Sequence, residues 1–436
     1  MTVLIALLIL IVVMVIGVPI PLAFISSAAY ICFTNDVQPT MLFAYGFRNQ
    51  NTILLLTIPM FVLAGAIIDK GGIGENLIAG LQRFSKGSKA TLGTITIVAC
   101  AIFGAVSGSA SATTSCIGSI MTPRLKEAGY KSGHIGALLA SSGVLGIMIP
   151  PSILMILYAW GTGTSVLACF LATIIPGIIL IILFSIVNTY LVMHGKELDS
   201  PDAEIALQRM LQRPQRSQRK GRSAFPAVLM PVLLLGSIYG GVVTTTEGAA
   251  FSVIYSLLVG VFYYKQIGFK TLRDTVADAG ETAGTIMVML FTVSILSRLY
   301  MTENLPDTIL TALTSISENR IILLLMINLF MVIIGMLMDD CSGTTLCGPI
   351  LMPVMAALGV PSIQFAAILS VNIGMGNVTP PTAPLLYLGG RIADAEVKDM
   401  LKPTFILIFF AWLPTLILTT FVPQLSLFLP KLLGYI

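Results

Sequence analysis

The sequence predicts an all-α, polytopic membrane protein of two halves with inverted topology, each half carrying a re-entrant hairpin and a broken helix. Three observations predict this. The composition suits lipid, the apolar stretches have bilayer length, and a stretch rich in glycine and proline recurs 230 residues later.

Of 436 residues, 56% are hydrophobic and 10% are charged. A soluble domain carries about a quarter charged residues. This chain cannot dress a water-facing surface, so lipid is its solvent. Its apolar stretches are continuous and do not alternate, which argues against a β-barrel. The formal net charge of +4 is no nucleic-acid footprint, because the basic residues sit in short loops between apolar runs. Cys32, Cys100, Cys116, Cys169, Cys341 and Cys347 form no CxxC pair and lie among apolar or small residues. They read as packing residues. The two histidines, His134 and His194, leave little for a zinc site.

Apolar stretches fall at roughly 2–32, 52–69, 90–122, 134–158, 164–193, 225–245, 248–264, 283–300, 320–358, 362–390 and 402–430. About 20 apolar residues span a bilayer. The first stretch is too long for a signal-peptide core and reads as a membrane anchor. One hydrophilic stretch, 195–223, ends LQRPQRSQRKGRS. It holds Lys196, Arg209, Arg213, Arg216, Arg219, Lys220 and Arg222 and reads as a cytoplasmic linker. The chain therefore divides into an N-terminal half (1–195), a basic cytoplasmic linker (196–223) and a C-terminal half (224–436).

Residues 107–152 align without a gap on 337–382. Matches include Thr114 with Thr344, Gly118 with Gly348, Pro123 with Pro353, Gly146 with Gly376, and Pro150-Pro151 with Pro380-Pro381. Glycine and proline fix backbone shape, so the repeat is structural. Each copy opens with an apolar run broken by small polar residues: VSGSASATTS at 106–115 and MDDCSGTTLC at 338–347. These read as re-entrant hairpins over about 90–125 and 320–358. Each copy continues with a span broken by a double proline, SSGVLGIMIPPS and VNIGMGNVTPPT. Proline removes a backbone donor, and in lipid the freed carbonyl needs another partner. Interrupted segments at corresponding positions of two halves point to a transporter binding site.

Charge orients the copies. Arg124, Lys126 and Lys131 follow hairpin one, and Lys70, Arg83, Lys86 and Lys89 precede it. Their counterparts after hairpin two, Val354, Ala356 and Pro361, are uncharged. Hairpin one thus opens to the cytoplasm and hairpin two to the outside.

The candidate site residues follow from these breaks. At the first break they are Ser107, Gly108, Ser109, Ala110, Ser111 and Thr113, with Ser142 and Pro150 in the first broken helix. Hydroxyls and carbonyls there suit Na⁺, and free N–H groups at a helix start suit an anion. At the second break, Asp339 and Asp340 are two carboxylates inside an apolar run, joined by Ser342 and Gly343. Acids at such depth face a cavity, a cation or a proton path. Asn372, Gly374, Asn377, Thr379 and Pro380 lie in the second broken helix. Arg298 either snorkels to the interface or pairs with an anionic substrate. Glu247 reads as part of a helix cap with Thr246. A serine hydrolase needs a base within hydrogen-bond reach of its nucleophile, and the histidines only flank loops, so the chain reads as no enzyme.

Several stretches together resemble the large membrane subunit of tripartite ATP-independent periplasmic (TRAP) transporters. They are VIGVPIPLAF, TIPMFVLAGAIID, GAVSGSASATTSCIGSIMTPRLKEAGY, GVLGIMIPPSILMILYA, VTTTEGAAF and NIGMGNVTPPTAPLLYLGG. The resemblance covers nearly the whole chain. It implies an elevator-type, ion-coupled carrier in the bacterial cytoplasmic membrane, in which a hairpin-bearing domain slides against a scaffold. It implies Na⁺ as the coupling ion and no other cofactor. Na⁺ is then expected near Ser107, Ser109, Asp340, Gly343, Asn372, Gly374 and Thr379. The implied partners are a small four-helix membrane subunit, a periplasmic substrate-binding protein and a small organic acid anion of the dicarboxylate or sialic acid class. The small subunit is expected as a separate chain. A related Na⁺/carboxylate carrier that works without a binding protein is the alternative.

Overall fold

The computed structural model describes residues 2–82, 90–194 and 223–436. Of the basic residues used above, Arg83, Lys86, Lys89 and those from Lys196 to Arg222 lie outside the described residues. Within the described residues all regular structure is helical. Lipid imposes this, because a helix satisfies its backbone polar groups internally. Six of these helices are long and apolar enough to cross a membrane: Ile53–Lys70, Val166–His194, Thr245–Tyr263, Phe269–Thr302, Arg320–Leu337 and Val397–Phe421. Ser132–Met148 and Ile153–Thr162 together form one bent apolar stretch of similar length, turning by 47° at its break. The chain is a multi-pass membrane protein.

The first apolar run is not one long anchor. It folds back between Thr2–Val15 and Ile20–Thr34, turning through Gly17 at φ +92°. Ser27 Oγ donates to the Ala6 carbonyl at 2.8 Å, so the two helices lie antiparallel. Hydropathy alone could not see this turn, because Gly17 and Pro19 interrupt the backbone without interrupting the apolar run. A similar pair forms from Phe225–Tyr239 and Thr245–Leu258, turning at Gly241. There Thr244, and not Thr246, completes a capping box with Glu247. The Thr246 hydroxyl instead meets Thr57 Oγ1 at 2.9 Å.

The repeat extends beyond the two breaks. Pro39–Gln50 and Thr57–Lys70 in the first half correspond to the single helix Phe269–Thr302 in the second. Its first turns, FKTLRDTVADAGET, are too charged to register as apolar, yet they are helical. Two short helices follow at matching places, Ile73–Gln82 and Leu305–Ile316. Then come the hairpins, Thr91–Ser107 with Ala110–Glu127 and Arg320–Leu337 with Asp340–Ala357. The broken helices close each half. They are Ser132–Met148 with Ile153–Thr162, and Ser362–Gly376 with Pro384–Ala393.

Contacts between the halves exchange in a two-fold manner. A methyl group on Gly118 would meet Ile392 Cγ2 at 3.0 Å, and one on Gly348 would meet Thr162 Cγ2 at 3.7 Å. Positions 118 and 348 correspond, as do 162 and 392, each pair differing by 230. Each half therefore lays its post-break helix against the other half's hairpin. Position 144 touches its own counterpart, 374: a methyl on Gly374 would lie 2.5 Å from Val144 Cγ1 and 2.9 Å from Trp412. Contact between equivalent positions is what a two-fold relation requires at its axis.

An outer frame holds these elements. Thr57–Lys70 packs on Thr245–Leu258, Phe269–Thr302 packs on Ile20–Thr34, and the two long helices pack on each other. The frame touches both hairpin tips. Gly65 approaches Ser107, where a methyl would lie 3.4 Å from its Cβ, and Ser342 Oγ meets Met289 Sδ at 2.6 Å.

The crossing yields a test. Gly374→Val overpacks a site already closed by Val144 and Trp412, at a cost of about 1–3 kcal/mol. Thermal unfolding of the purified chain in detergent should show a clearly lowered midpoint. Gly284→Ala, where nothing lies within 4 Å, should leave it unchanged or slightly raised.

Candidate functional site

The first hairpin turns at Gly108, which takes the left-handed φ of +62° that ends a helix at little cost only for glycine. Ser109 is extended and caps the second arm, accepting from the Ala112 N–H at 3.4 Å. Thr113 Oγ1 donates to the Ser109 carbonyl at 2.7 Å and lies 3.0 Å from Ser107 Oγ. Ser109 Oγ and Ser111 Oγ are 3.3 Å apart. These hydroxyls thus form one network at the tip. Ala110 is the buried first residue of the second arm.

The tip leans on the broken helix of its own half. The Gly108 carbonyl accepts from the Ile153 N–H at 3.3 Å. A methyl on Gly104 would lie 2.5 Å from Gly146 Cα, and one on Gly146 would lie 2.4 Å from Thr113 Oγ1. Only glycines allow this approach. Within the break, Ser152 Oγ donates to the Ile147 carbonyl at 2.6 Å, satisfying a carbonyl that Pro150 and Pro151 leave without a donor. Pro150 is buried there, and the Pro150–Pro151 peptide is cis, as is Pro380–Pro381. Ser142 is buried and donates to its own helix at Leu138.

At the second tip the two carboxylates divide their roles. Asp339 caps the second arm: it accepts from the N–H groups of Cys341 at 3.1 Å and Ser342 at 3.5 Å, and from the Ser342 hydroxyl. It sits 230 positions after Ser109, the cap of the first hairpin. The half-buried Asp340 takes no part in that cap, and the ligand-capable atoms of Asp339, Asp340 and Cys341 lie within 4.8 Å of one another. Gly343 packs on Ile373. Gly335 and Gly376 approach as Gly104 and Gly146 do, with a methyl on Gly376 lying 2.6 Å from Gly335.

The second broken helix carries unpartnered acceptors. Asn372 Nδ2 donates to Asn328 Oδ1 at 2.9 Å and to the Ile368 carbonyl at 2.8 Å. Its own Oδ1 is buried without a partner, and so is Asn377 Oδ1. Leaving such an acceptor buried costs about 1–3 kcal/mol. A bound cation or donor offsets that cost. Thr379 Oγ1 donates to the Met375 carbonyl at 2.6 Å, and the Thr382 hydroxyl reaches the Met336 carbonyl across to the hairpin. Pro380 lies in the break beside Thr379, and Gly374 is the crossing position already described.

The structure therefore gathers Ser107, Gly108, Ser109, Ser111 and Thr113 at one tip beside the first break. It gathers Asp339, Asp340, Ser342 and Gly343 at the other, beside the second break. The two breaks flank the crossing of Val144 and Gly374. No hydrogen bond joins the tips directly among the described residues. Each tip sets the C-terminal end of one arm, negative, against the N-terminal end of the next, positive. That pairing suits a cation and an anion side by side. Asn328 escaped the sequence reading. It bonds Asn372 and Thr420 (3.0 Å), and it is the one amide in the apolar arm RIILLLMINLFMVIIGML.

Comparison with known proteins places the chain. The family described as "Tripartite ATP-independent periplasmic transporter, DctM component" matches residues 7–425. The isethionate TRAP transporter permease protein DctMQ of Oleidesulfovibrio alaskensis is 29% identical over 416 residues. That match covers 95% of this chain but 64% of the relative, so the chain spans under two thirds of that protein's length. The C4-dicarboxylate TRAP transporter large permease protein DctM of Pseudomonas aeruginosa is 30% identical over 392 residues, covering 89% of this chain and 88% of its own. Among solved structures, the YdaH transporter of Alcanivorax borkumensis matches with a TM-score of 0.60 at 12% identity, covering 88% of each chain. That is a likeness of fold.

The division of roles between the aspartates is testable by stability. Asp339→Ala removes a cap and should cost about 0.5–2 kcal/mol, read as a lowered thermal midpoint. Asp339→Ser, which copies the first hairpin, should recover most of it. Asp340→Asn should leave the midpoint near wild type.

Proposed function

The chain belongs to the DctM component family of tripartite ATP-independent periplasmic transporters, and from that premise we propose that it carries a small organic acid anion inward by Na⁺-coupled secondary transport, receiving it from a periplasmic binding protein. It is a transport protein and not an enzyme. The observation that carries the reading is the set of buried, unpartnered amide oxygens of Asn372 and Asn377 in a broken helix beside the Asp340 hairpin. Acceptors without donors suit a hard cation. Two relatives named for acid anions, a C4-dicarboxylate and isethionate, support the anionic class of substrate.

In this reading Na⁺ binds oxygen ligands at the two breaks. Around the first are Ser107, Ser109 and the backbone of the break; around the second are Asp340, Gly343, Asn372, Gly374 and Thr379. Binding offsets the Asp340 charge and the orphaned acceptors. The anion then meets the N-terminal ends of the second arms. Each ligand raises the affinity for the other by the same factor, which is the coupling. The hairpins and broken helices move together against the outer frame, with the two halves related by inverted topology. A separate small membrane subunit completes the permease.

Proteoliposomes holding this chain and its small four-helix subunit test the proposal. They are supplied with a radiolabelled organic acid on the cognate binding protein, with and without an inward Na⁺ gradient. Uptake should require both the binding protein and Na⁺. Asp340→Asn should raise the Na⁺ concentration for half-maximal uptake about tenfold, equivalent to about 1.4 kcal/mol, while Asp339→Ser stays near wild type. Uptake unchanged without Na⁺ would sink the coupling. Uptake without the binding protein would assign the chain to the simpler carrier class.

A further inference from the structure

Along the second arm of the second hairpin, a cavity of about 230 Å³ lies between that arm and the outer frame. Tyr45, Asn49, Ser297 and Arg298 line it from the frame, and Trp160 and Thr345 line it from the inner elements. The guanidinium of Arg298 sits over the Tyr45 ring, 5.5 Å from its centroid. It is therefore held at the cavity wall by a cation–π contact. Among the described residues no carboxylate pairs with it, and no acidic residue lines the cavity. Trp160 is fixed as a wall by its indole N–H, which donates to the Asn49 carbonyl at 3.3 Å. The Ser294 and Thr345 hydroxyls donate back to their own helices.

This is a small, aromatic-walled space, open on one side, with the exposed Arg298 fork of N–H donors at its edge and no carboxylate beside it. Arginine matches a carboxylate or sulfonate through two parallel hydrogen bonds. The volume lies below the roughly 300–1,000 Å³ of sites for drug-sized ligands. A four-carbon diacid or a two-carbon sulfonate is a ligand of that smaller class. The cavity also straddles the frame and the inner elements.

We propose that this cavity is the receiving site for the transported acid, with Arg298 clamping the carboxylate or sulfonate of a small substrate before the inner elements carry it away. The inference rests on the transport reading and narrows its substrate class. It takes, of the two readings of Arg298, the anion partner.

Trp160 makes the site observable. The chain has two tryptophans, and the other, Trp412, is fully buried elsewhere. The permease in nanodiscs is titrated with succinate or isethionate, without binding protein, and tryptophan emission is followed. A saturable change is expected in wild type and should vanish in Trp160→Phe. Arg298→Met should weaken the apparent affinity at least tenfold, Arg298→Lys less, and Lys398→Gln not at all. If Arg298→Met does not fold, Ser297→Leu narrows the cavity and should abolish the response. Wild-type affinity in the folded Arg298→Met protein, or no saturable response from a permease that transports succinate, overturns the proposal while the transport reading stands. Arg298-dependent binding supports the site even where no acid is taken up, and that absence of uptake removes the transport reading alone.

Discussion

Everything in this molecule depends on how it satisfies backbone groups where its apolar helices break. Lipid offers no donor or acceptor, so each break must be closed by protein or by a ligand. The first break is closed by Ser152 on the Ile147 carbonyl and by the Ile153 N–H on the Gly108 carbonyl. The second is closed by Thr382 on Met336 and by the Leu385 N–H on the Asn377 carbonyl. Both solutions need a hairpin tip pressed against a broken helix. That pressure explains the glycines at 104, 146, 335 and 376, whose added methyl groups would strike backbone. The amide oxygens of Asn372 and Asn377 stay open after this closure.

The two-fold exchange of contacts follows from the same need. A single half has its post-break helix exposed on one face. Laying Ile153–Thr162 on the second hairpin and Pro384–Ala393 on the first covers both. The pairs Gly118 with Ile392 and Gly348 with Thr162 are the visible trace of that reciprocity. Because the helices cross at Val144 and Gly374, the two breaks lie on either side of a common point, and neither half builds the central region alone.

Much of this was legible in the sequence, because glycine and proline write backbone geometry directly. The expected hairpins at about 90–125 and 320–358 correspond to the helix pairs Thr91–Glu127 and Arg320–Ala357. The breaks at Pro150 and Pro380 were visible for the same reason. What escaped was whatever hydropathy averages away. The turn at Gly17 hides inside an apolar run, and the first turns of Phe269–Thr302 are helical but charged. The capping role of Asp339 was within reach, since it corresponds to Ser109 and capping residues are a small set. Asn328 was likewise visible as the lone amide of its arm. The cavity at Arg298 was not, because its walls come from four separate segments spread along the chain from Tyr45 to Pro353.

The halves differ in one mechanical respect. The second frame helix is a single rod of 34 residues, about 51 Å at 1.5 Å per residue. Its counterpart in the first half is jointed at Asn51–Leu56, where the α-helix gives way to a short 3₁₀ turn. A rod transmits load along its axis, whereas a jointed lever can fold. Two machines that share one blueprint therefore have unequal compliance. In the carrier proposed above, the stiff side would serve as the guide rail and the jointed side would absorb the stroke.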